Sequence, residues 1–470
     1  MDLDGTLISS DLLYETLLLL AKQNALALLL LPLWLLLGRA VLKRRIAEHV
    51  KLDASALPYN EAVLEYLRQE RCAGRTIVLA TASDQVLAEQ VADYLGLFDA
   101  VLASDGLSNL KGSRKRELLE ERFDQSGFDY VGDSAADLSV WRSAANGIVV
   151  SNSKRLQERA RAVCKIAEVI EPPRSSRAQA AFKALRLHHW SKNLLLFLPL
   201  LLAHKIKDPV RVSTAAMAFL CFGGCASAIY VLNDLLDLQS DRKHPWKSRR
   251  PFACSALSIP FGLFIFVGLT AGSLLVSSAL LPIKFTIILA AYFLLNLLYC
   301  SAFKTVLLVD VMLLAGFYAL RIFAGGLAVH VKLSYWLIAF AMFFFFSLAM
   351  AKRYSELVHA PELIQSGHSG RAYVLEDRSA LSSFGISSGY LSVLVIAFYV
   401  NSSEVVSMYR RPEVLWLICP LILYWISRIW VLAHRELLAD DPVVIAMRDK
   451  ISYVVGLMAM LVILAAGPMS

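Results

Sequence analysis

The string Asp2-Leu3-Asp4-Gly5-Thr6-Leu7 sets two carboxylates two residues apart at the start of a turn. One can act as a nucleophile while the other gives and takes a proton. Gly5 allows the backbone to approach closely there. Thr81 and Ser83 follow an apolar run and offer hydroxyl donors to a phosphoryl oxygen, and Lys115, or else Lys111, offers a fixed positive charge. Gly132-Asp133-Ser134-Ala135-Ala136-Asp137 adds two carboxylates of the kind that hold Mg²⁺, a hard cation that takes oxygen ligands. Each string alone is what an ordinary loop carries. Their order, each after an apolar run, points to metal-assisted phosphoryl chemistry.

A second group lies downstream. In Asn233-Asp234-Leu235-Leu236-Asp237-Leu238-Gln239-Ser240-Asp241-Arg242, spacings of three and four put Asp234, Asp237 and Asp241 within roughly 60° of one another if the helix runs on. Three carboxylates on one face repel unless a divalent cation neutralises them. The basic residues that follow, Lys243, Lys247, Arg249 and Arg250, suit a polyanionic phosphate. Further on come Tyr299, Lys304, Asp310 and Arg321. Asp310 and Arg321 fall inside an apolar stretch, where an ionisable side chain is costly and is by default a functional candidate. A structural Asp310–Arg321 pair is the alternative. Lys352-Arg353 either faces the same cavity or anchors a membrane edge.

These strings need elements to position them. Of 470 residues 57% are hydrophobic and 18% charged, with a mean hydropathy of +0.55. An ordinary soluble domain carries roughly 25% charged residues, so a soluble enzyme throughout is excluded. Of the 39 acidic residues, 24 lie in residues 1–180 and 15 in the remaining 290. Residues 1–168 alternate short apolar runs with amphipathic stretches, the rhythm of a doubly wound α/β domain, whose reactive residues collect at the carboxyl ends of the strands. Residues 169–180, with Pro172-Pro173, read as a linker.

Nine apolar segments follow over 181–470, at about 181–203, 212–232, 256–281, 284–300, 305–325, 334–351, 383–401, 414–433 and 451–468. Each is near the length that crosses about 30 Å of hydrocarbon. Alternate connections carry thirteen and seven Lys and Arg, which puts the richer set, and the N-terminal domain that joins from that side, in the cytoplasm. Ala25–Gly38 is apolar but too short to span with confidence; an interfacial segment and a cap-helix core are both open readings. The charge of +8 carries no zinc-finger spacing and no aromatic-interleaved basic patch, so no nucleic-acid partner is expected. The seven cysteines include no CxxC and indicate neither a disulfide framework nor a zinc site. A transporter would be expected to show internal repeats, and none is evident.

The first strings, in their order, resemble the haloacid dehalogenase superfamily of phosphatases over about the first 165 residues. That resemblance implies an α/β, Rossmann-like domain with Asp2 as phosphoryl-accepting nucleophile, Asp4 as general acid/base, Thr81 and Lys115 as phosphate binders, and Asp2, Asp133 and Asp137 around Mg²⁺. One departure stands out: only Met1 precedes Asp2, so the central strand is missing from the chain as given, and an upstream start is expected.

The Asn233–Asp241 and Tyr299…Lys304…Asp310 strings, with nine helices, resemble the UbiA-type prenyltransferase superfamily over about residues 180–470. An all-α polytopic bundle is implied, with Mg²⁺ at Asp234 and Asp237, a diphosphate donor, a polyprenyl substrate and a bacterial inner-membrane location. His189-Trp190-Ser191-Lys192-Asn193, Asp241-Arg242-Lys243-His244-Pro245 with Arg250, and Asp440-Asp441-Pro442-Val443 look most like the polyprenyl-phosphate phosphoribosyltransferases. This implies phosphoribosyl diphosphate as donor and polyprenyl phosphate as acceptor. Lys192, Asn193, Asn233, Asp241, Arg242, Arg250, Tyr299 and Arg321 would bind substrate, and Asp310 and Lys304 would serve catalysis. Prenyl transfer to an aromatic acceptor is the alternative, weakened by the single Asp310 where a second multi-aspartate string is usual.

Overall fold

The computed structural model describes residues 1–470 except 124–126, 174–175, 360–371, 439–444, 446–448 and 468–470. The Asp440–Val443 string therefore lies outside the described residues. The chain forms two compact units, Met1–Leu185 with Tyr230–Phe266, and Arg186–Ile229 with Val267–Ser470.

In the first unit, helices α1 (Leu12–Gln23), α2 (Leu31–Leu36), α3 (Arg39–His49) and α4 (Glu61–Cys72) come before the strands. Then β1 (Val78–Asp84), β2 (Ala100–Ser104), β3 (Asp129–Gly132), β4 (Asn146–Val150) and β5 (Ile166–Ile170) alternate with α5 (Gln85–Leu95), α6 (Ser113–Phe123), α7 (Leu138–Trp141) and α8 (Lys154–Arg161). All strand pairs are parallel, β1 with β2 and β3-β4-β5 in that order. The apolar, β-branched runs of β3 and β4 are buried, as strands covered by helices on both faces require.

The two sheets are joined by Met1 and Asp2. The Met1 ammonium donates to Val78 O at 3.1 Å and Ala80 N donates to Met1 O at 2.8 Å, while Asp2 N donates to Val131 O at 3.0 Å. Met1 and Asp2 thus link β1 to β3, and Leu3, Leu7 and Ile8 behind them are fully buried. The expected strand is reduced to this link, which still sets Asp2 between the ends of β1 and β3.

Residues 230–266 pack on this same unit. Leu18 and Tyr14 of α1 share an apolar cluster with Val231, Leu235, Phe252, Leu257 and Ile259. Arg242 donates to Glu15 at 2.6 and 3.1 Å, and its guanidinium also reaches Ala56 O and Ala253 O. Both partners are almost wholly buried, so each neutralises a charge that would otherwise be expensive.

The structure holds seven helices long and apolar enough to cross a membrane among the described residues: Pro209–Leu236, Ile259–Leu280, Ile283–Ser301, Val309–Ala328, Tyr335–His359, Leu375–Val400 and Pro412–His434. Two of the nine expected segments differ. Residues 181–203 are broken into α9 (Arg177–Leu185), a 3₁₀ stretch Leu187–Phe197 and α10 (Leu198–Leu202). Arg186 takes the left-handed conformation, φ 49°, and ends α9, while Pro199 opens α10. The last segment is a helix of 17 residues, Lys450–Ala466, started by Asp449, whose carboxylate accepts from Ser452 N.

Within the second unit the bundle closes tightly at glycine. A Cβ on Gly325 would lie 2.2 Å from Leu196 O, whereas one on Gly316 of the same helix would meet nothing within 4 Å. Gly325→Ala is therefore expected to cost about 1–3 kcal/mol through overpacking, and Gly316→Ala to be neutral or mildly stabilising. Thermal unfolding of the two variants in one detergent checks this; equal melting temperatures would contradict the close approach.

Candidate functional site

The loop after Asp2 turns at Gly5, φ 77°, where a Cβ would stand 2.3 Å from Asp133 Oδ2. Only glycine lets the first acidic string sit against the third. One oxygen from each of Asp2, Asp133 and Asp137 lies within 4.8 Å of the others. Lys115, on α6, reaches Asp2 Oδ1 at 2.9 Å and donates to Tyr130 Oη at 3.0 Å; Tyr130 in turn donates to Asp137 Oδ1 at 2.9 Å. Thr6 donates to Asp133 at 3.0 Å, and Ser134 donates through N and Oγ to Asp137 Oδ2.

The electrostatics follow from three buried carboxylates facing one ammonium. Asp133 is pushed up to about 7, first by burial and then by Asp137 and Asp2. Asp2 is raised too, by burial above all, against the pull of Lys115. Asp4 accepts from Leu12 N at 2.8 Å and from Ser83 Oγ at 2.7 Å, and is raised to about 6 by burial and by Asp11. A cluster of oxygen donors with excess negative charge fits a hard divalent cation, and a carboxyl poised near neutrality fits proton transfer.

Lys115, one of the two lysines weighed for phosphate, is the one beside Asp2. Thr81 is fully buried on β1 and accepts from Ser83 N at 3.0 Å; Ala82 and Ser83 line the pocket. The side chain the sequence did not single out is Lys43, on α3, which lines this pocket and donates to Ala82 O at 2.6 Å. A lone lysine in a helix such as Arg39–His49 carries no motif; only its packing over β1 reveals it.

The downstream aspartates are not one continuous helical face. Helix α11 (Pro209–Leu236) stops at Leu236, Asp237 leaves helical geometry at φ −98° and ψ 12°, and α12 (Leu238–Lys243) begins anew. Asp234 and Asp241 are buried and share Arg250 Nη1, at 3.1 and 2.6 Å. Asp237 instead meets Lys22 of α1 at 2.9 Å. Arg242, expected on phosphate, turns to Glu15, and Lys243 meets Asp53. Burial raises Asp241 while Arg250 opposes it. Two buried carboxylates on one guanidinium keep an excess negative charge that a divalent cation would relieve.

In the second unit Asp310 does not pair with Arg321. It pairs with Arg353 of the helix Tyr335–His359 at 2.6 Å, both fully buried, and Tyr373 donates to its other oxygen. Arg353 also reaches Tyr299 Oη at 3.3 Å and Glu356 at 2.7 Å. Arg321 donates to Asn193 Oδ1, Tyr292 Oη and Phe317 O at 2.7 to 2.9 Å, and lies over the rings of Phe222, Tyr292 and Tyr318. Lys192 stands over the Tyr318 ring at 5.5 Å. The buried amide nitrogen of Asn193 has no hydrogen-bond partner. Lys304 sits in a short 3₁₀ turn, Phe303–Thr305. Arg353 was legible only as one of two alternatives, and Tyr373 not at all, because its link to Asp310 spans 63 residues.

The UbiA prenyltransferase family profile matches residues 194–444, and that of haloacid dehalogenase-like hydrolases matches residues 1–142. The chain belongs to the UbiA prenyltransferase family, as an integral membrane protein with a haloacid dehalogenase-like domain at its N-terminal end. It is 36% identical to the uncharacterized protein y4nM of Sinorhizobium fredii over 97% of this chain and 88% of that one. It is 35% identical to nodulation protein NoeC of Azorhizobium caulinodans over 58% of this chain and 88% of that one. A decaprenyl-phosphate phosphoribosyltransferase of Corynebacterium glutamicum is 34% identical over 40% of this chain and 57% of its own length. A UbiA homolog from Archaeoglobus fulgidus bound to DMAPP and Mg²⁺ superposes with a TM-score of 0.48 at 17% identity, over 60% of this chain and 98% of that one.

The raised carboxyls predict a pH signature. Asp133 and Asp4 titrate from about 3.8 when unfolded to about 7 and about 6 in the fold, so between those limits the native state binds more protons. Without a divalent cation their contribution to stability falls as pH rises from about 4 to 7 and is flat above. The wild-type melting temperature should drop over that range more than that of Asp133→Asn, and Mg²⁺ should raise it more at pH 7.5 than at pH 5. Identical profiles for the two proteins would refute the assignment.

Proposed function

We propose that the membrane part transfers a phosphoribosyl group from phosphoribosyl diphosphate to a polyprenyl phosphate, and that the N-terminal domain is a phosphatase acting on the same pathway. The observation that carries this reading is the buried cluster of Arg321, Lys192 and Asn193, with an amide donor left unpartnered. A buried amide donor without a partner beside the buried Arg321 is costly, and an anionic acceptor satisfies it. Similarity to the decaprenyl-phosphate phosphoribosyltransferases, 29 to 34% identical over 40% of this chain, points to the same substrates.

In transfer, the bond from the ribose anomeric carbon to the diphosphate oxygen breaks and a bond to the polyprenyl phosphate oxygen forms. Lys192, Arg321 and Lys304 bind phosphate oxygens, and Asn193 donates its free amide hydrogens. Asp310 acts by fixing Arg353 and, through it, Tyr299. Asn233, Asp241, Arg242 and Arg250 belong to the donor side, where Arg250 keeps Asp234 and Asp241 in place. Mg²⁺ held by Asp234 and Asp237 would neutralise charge on the departing diphosphate.

The product keeps a 5-phosphate monoester. In the N-terminal domain an Asp2 oxygen attacks its phosphorus while Asp4 protonates the leaving alcohol oxygen; water then attacks the aspartyl phosphate, with Asp4 taking the proton, and phosphate leaves. Lys115 holds the phosphoryl oxygens, and Mg²⁺ at Asp2, Asp133 and Asp137 would offset the charge of the transferring group. The protein would lie in a bacterial inner membrane with this domain in the cytoplasm.

Membranes carrying the protein are expected to incorporate label from phosphoribosyl diphosphate into polyprenyl phosphate only with Mg²⁺. Asp234→Ala and Asp237→Ala should each lower the rate by roughly 10²-fold or more. Absence of label with folded, inserted protein, and label from prenyl diphosphate on an aromatic acceptor instead, would overturn the assignment.

A further inference from the structure

The pocket at Asp2 and Asp4 is far larger than a phosphate needs. Its volume is about 750 Å³, within the roughly 300–1,000 Å³ that holds a whole drug-sized ligand. Asp2, Asp4, Asp133 and Lys115 line one part of it, with Lys43 and Arg39 beside them. Among further polar lining residues such as Asp11, Asn109 and Ser258, apolar side chains come from two places in the chain: Leu13, Tyr14, Leu35 and Leu42 from the N-terminal helices, and Phe252, Leu257, Ile259 and Pro260 from the 230–266 segment.

Two independent facts say what covers that apolar side. Ile259 and Pro260 are also the first residues of Ile259–Leu280, a helix long and apolar enough to cross a membrane. A pocket walled by the first turn of a membrane span opens at the level where the span enters the bilayer. The second fact is the leucine-rich segment that ends in α2. Leu26, Leu29 and Leu36 are 78%, 78% and 86% exposed, and Leu33 and Leu37 more than half exposed. Leu35, equally exposed, lines the pocket itself. In water such a row is unfavourable; at a bilayer surface it buries its side chains in the acyl boundary, with the basic helix Arg39–His49 following.

We infer that the phosphatase pocket takes a phosphomonoester whose alcohol is still anchored in the membrane, entering between Leu35 and the Phe252–Pro260 wall with its phosphate on Asp2 and Lys115. This rests on the phosphatase reading above and adds the route of entry: the lipid-linked monoester reaches Asp2 from the membrane side, between Leu35 and the Phe252–Pro260 wall, and a soluble sugar phosphate is a poor substrate. The hydrolytic step is the one written for Asp2 and Asp4, and it consumes one water and releases inorganic phosphate.

The test uses the full chain reconstituted in phosphatidylcholine vesicles with Mg²⁺, and inorganic phosphate release as the readout. One arm offers farnesyl phosphate in the vesicles and the other p-nitrophenyl phosphate in solution, with Asp2→Asn as the blank. The expected result is a kcat/KM at least a hundredfold higher for the lipid monoester. That ratio should fall about tenfold in Leu29→Glu/Leu33→Glu and also in Leu35→Glu. Comparable turnover of both substrates, or a ratio indifferent to all three leucines, would overturn the proposal while leaving the phosphatase reading intact. Turnover of neither substrate by folded protein, shown by an unchanged melting temperature, would remove the phosphatase reading and the proposal with it.

Discussion

Buried negative charge is the constraint around which this protein is built. Glu15, Asp234, Asp241 and Asp310 are all shut away from water, and each is met by an arginine brought from elsewhere in the chain. Removing any one arginine would strand its carboxylate at a cost of several kcal/mol. Arginine suits the task because it stays charged and presents several donors at fixed angles. Arg242 uses them on Glu15, Ala56 and Ala253 at once, so a loop that begins as the end of a helix becomes part of the N-terminal unit.

The clustered carboxylates of the N-terminal domain stand apart from that rule. Asp2 meets Lys115, Asp133 meets Thr6 and Asp137 meets Tyr130 and Ser134, and burial raises Asp2 and Asp133. A structural site would have been neutralised by the fold. Leaving the charge incomplete reserves the place for a cation or a phosphoryl group, which is why perturbed carboxyls in a cleft point to function. The membrane unit shows the complement: Arg321 is boxed by aromatic rings and by Asn193, with no carboxylate among the partners described for it, so positive charge is what is held in reserve.

Several of these features could be read from residues alone. The order Asp2-Asp4, Thr81, Lys115, Asp133-Asp137 follows strand ends, and parallel α/β sheets deliver strand ends to one edge, so spacing and topology carried most of that site. Seven helices long and apolar enough to cross a membrane, among the described residues, were legible for a similarly simple reason, since twenty apolar residues in a row have few alternatives. Where the reading was less exact, a local break decided. The left-handed Arg186 and Pro199 cut the first apolar segment, and the loss of helical geometry at Asp237 divided the aspartate string between Arg250 and Lys22. Periodicity assumes an unbroken helix and cannot see where one ends.

The sequence by itself determined that a haloacid dehalogenase-like part precedes a UbiA-type membrane part, because hydropathy and motif spacing are properties of the chain's local order. Only the tertiary structure decided the partners: Arg353 and Tyr373 on Asp310, Arg242 on Glu15, Lys43 over β1, and the Phe252–Pro260 wall beside Asp2. Each joins residues from 39 to 227 positions apart or elements whose contact no period encodes. A charge in an apolar interior must find an opposite charge in space, and the chain's linear order does not say which one the fold will bring.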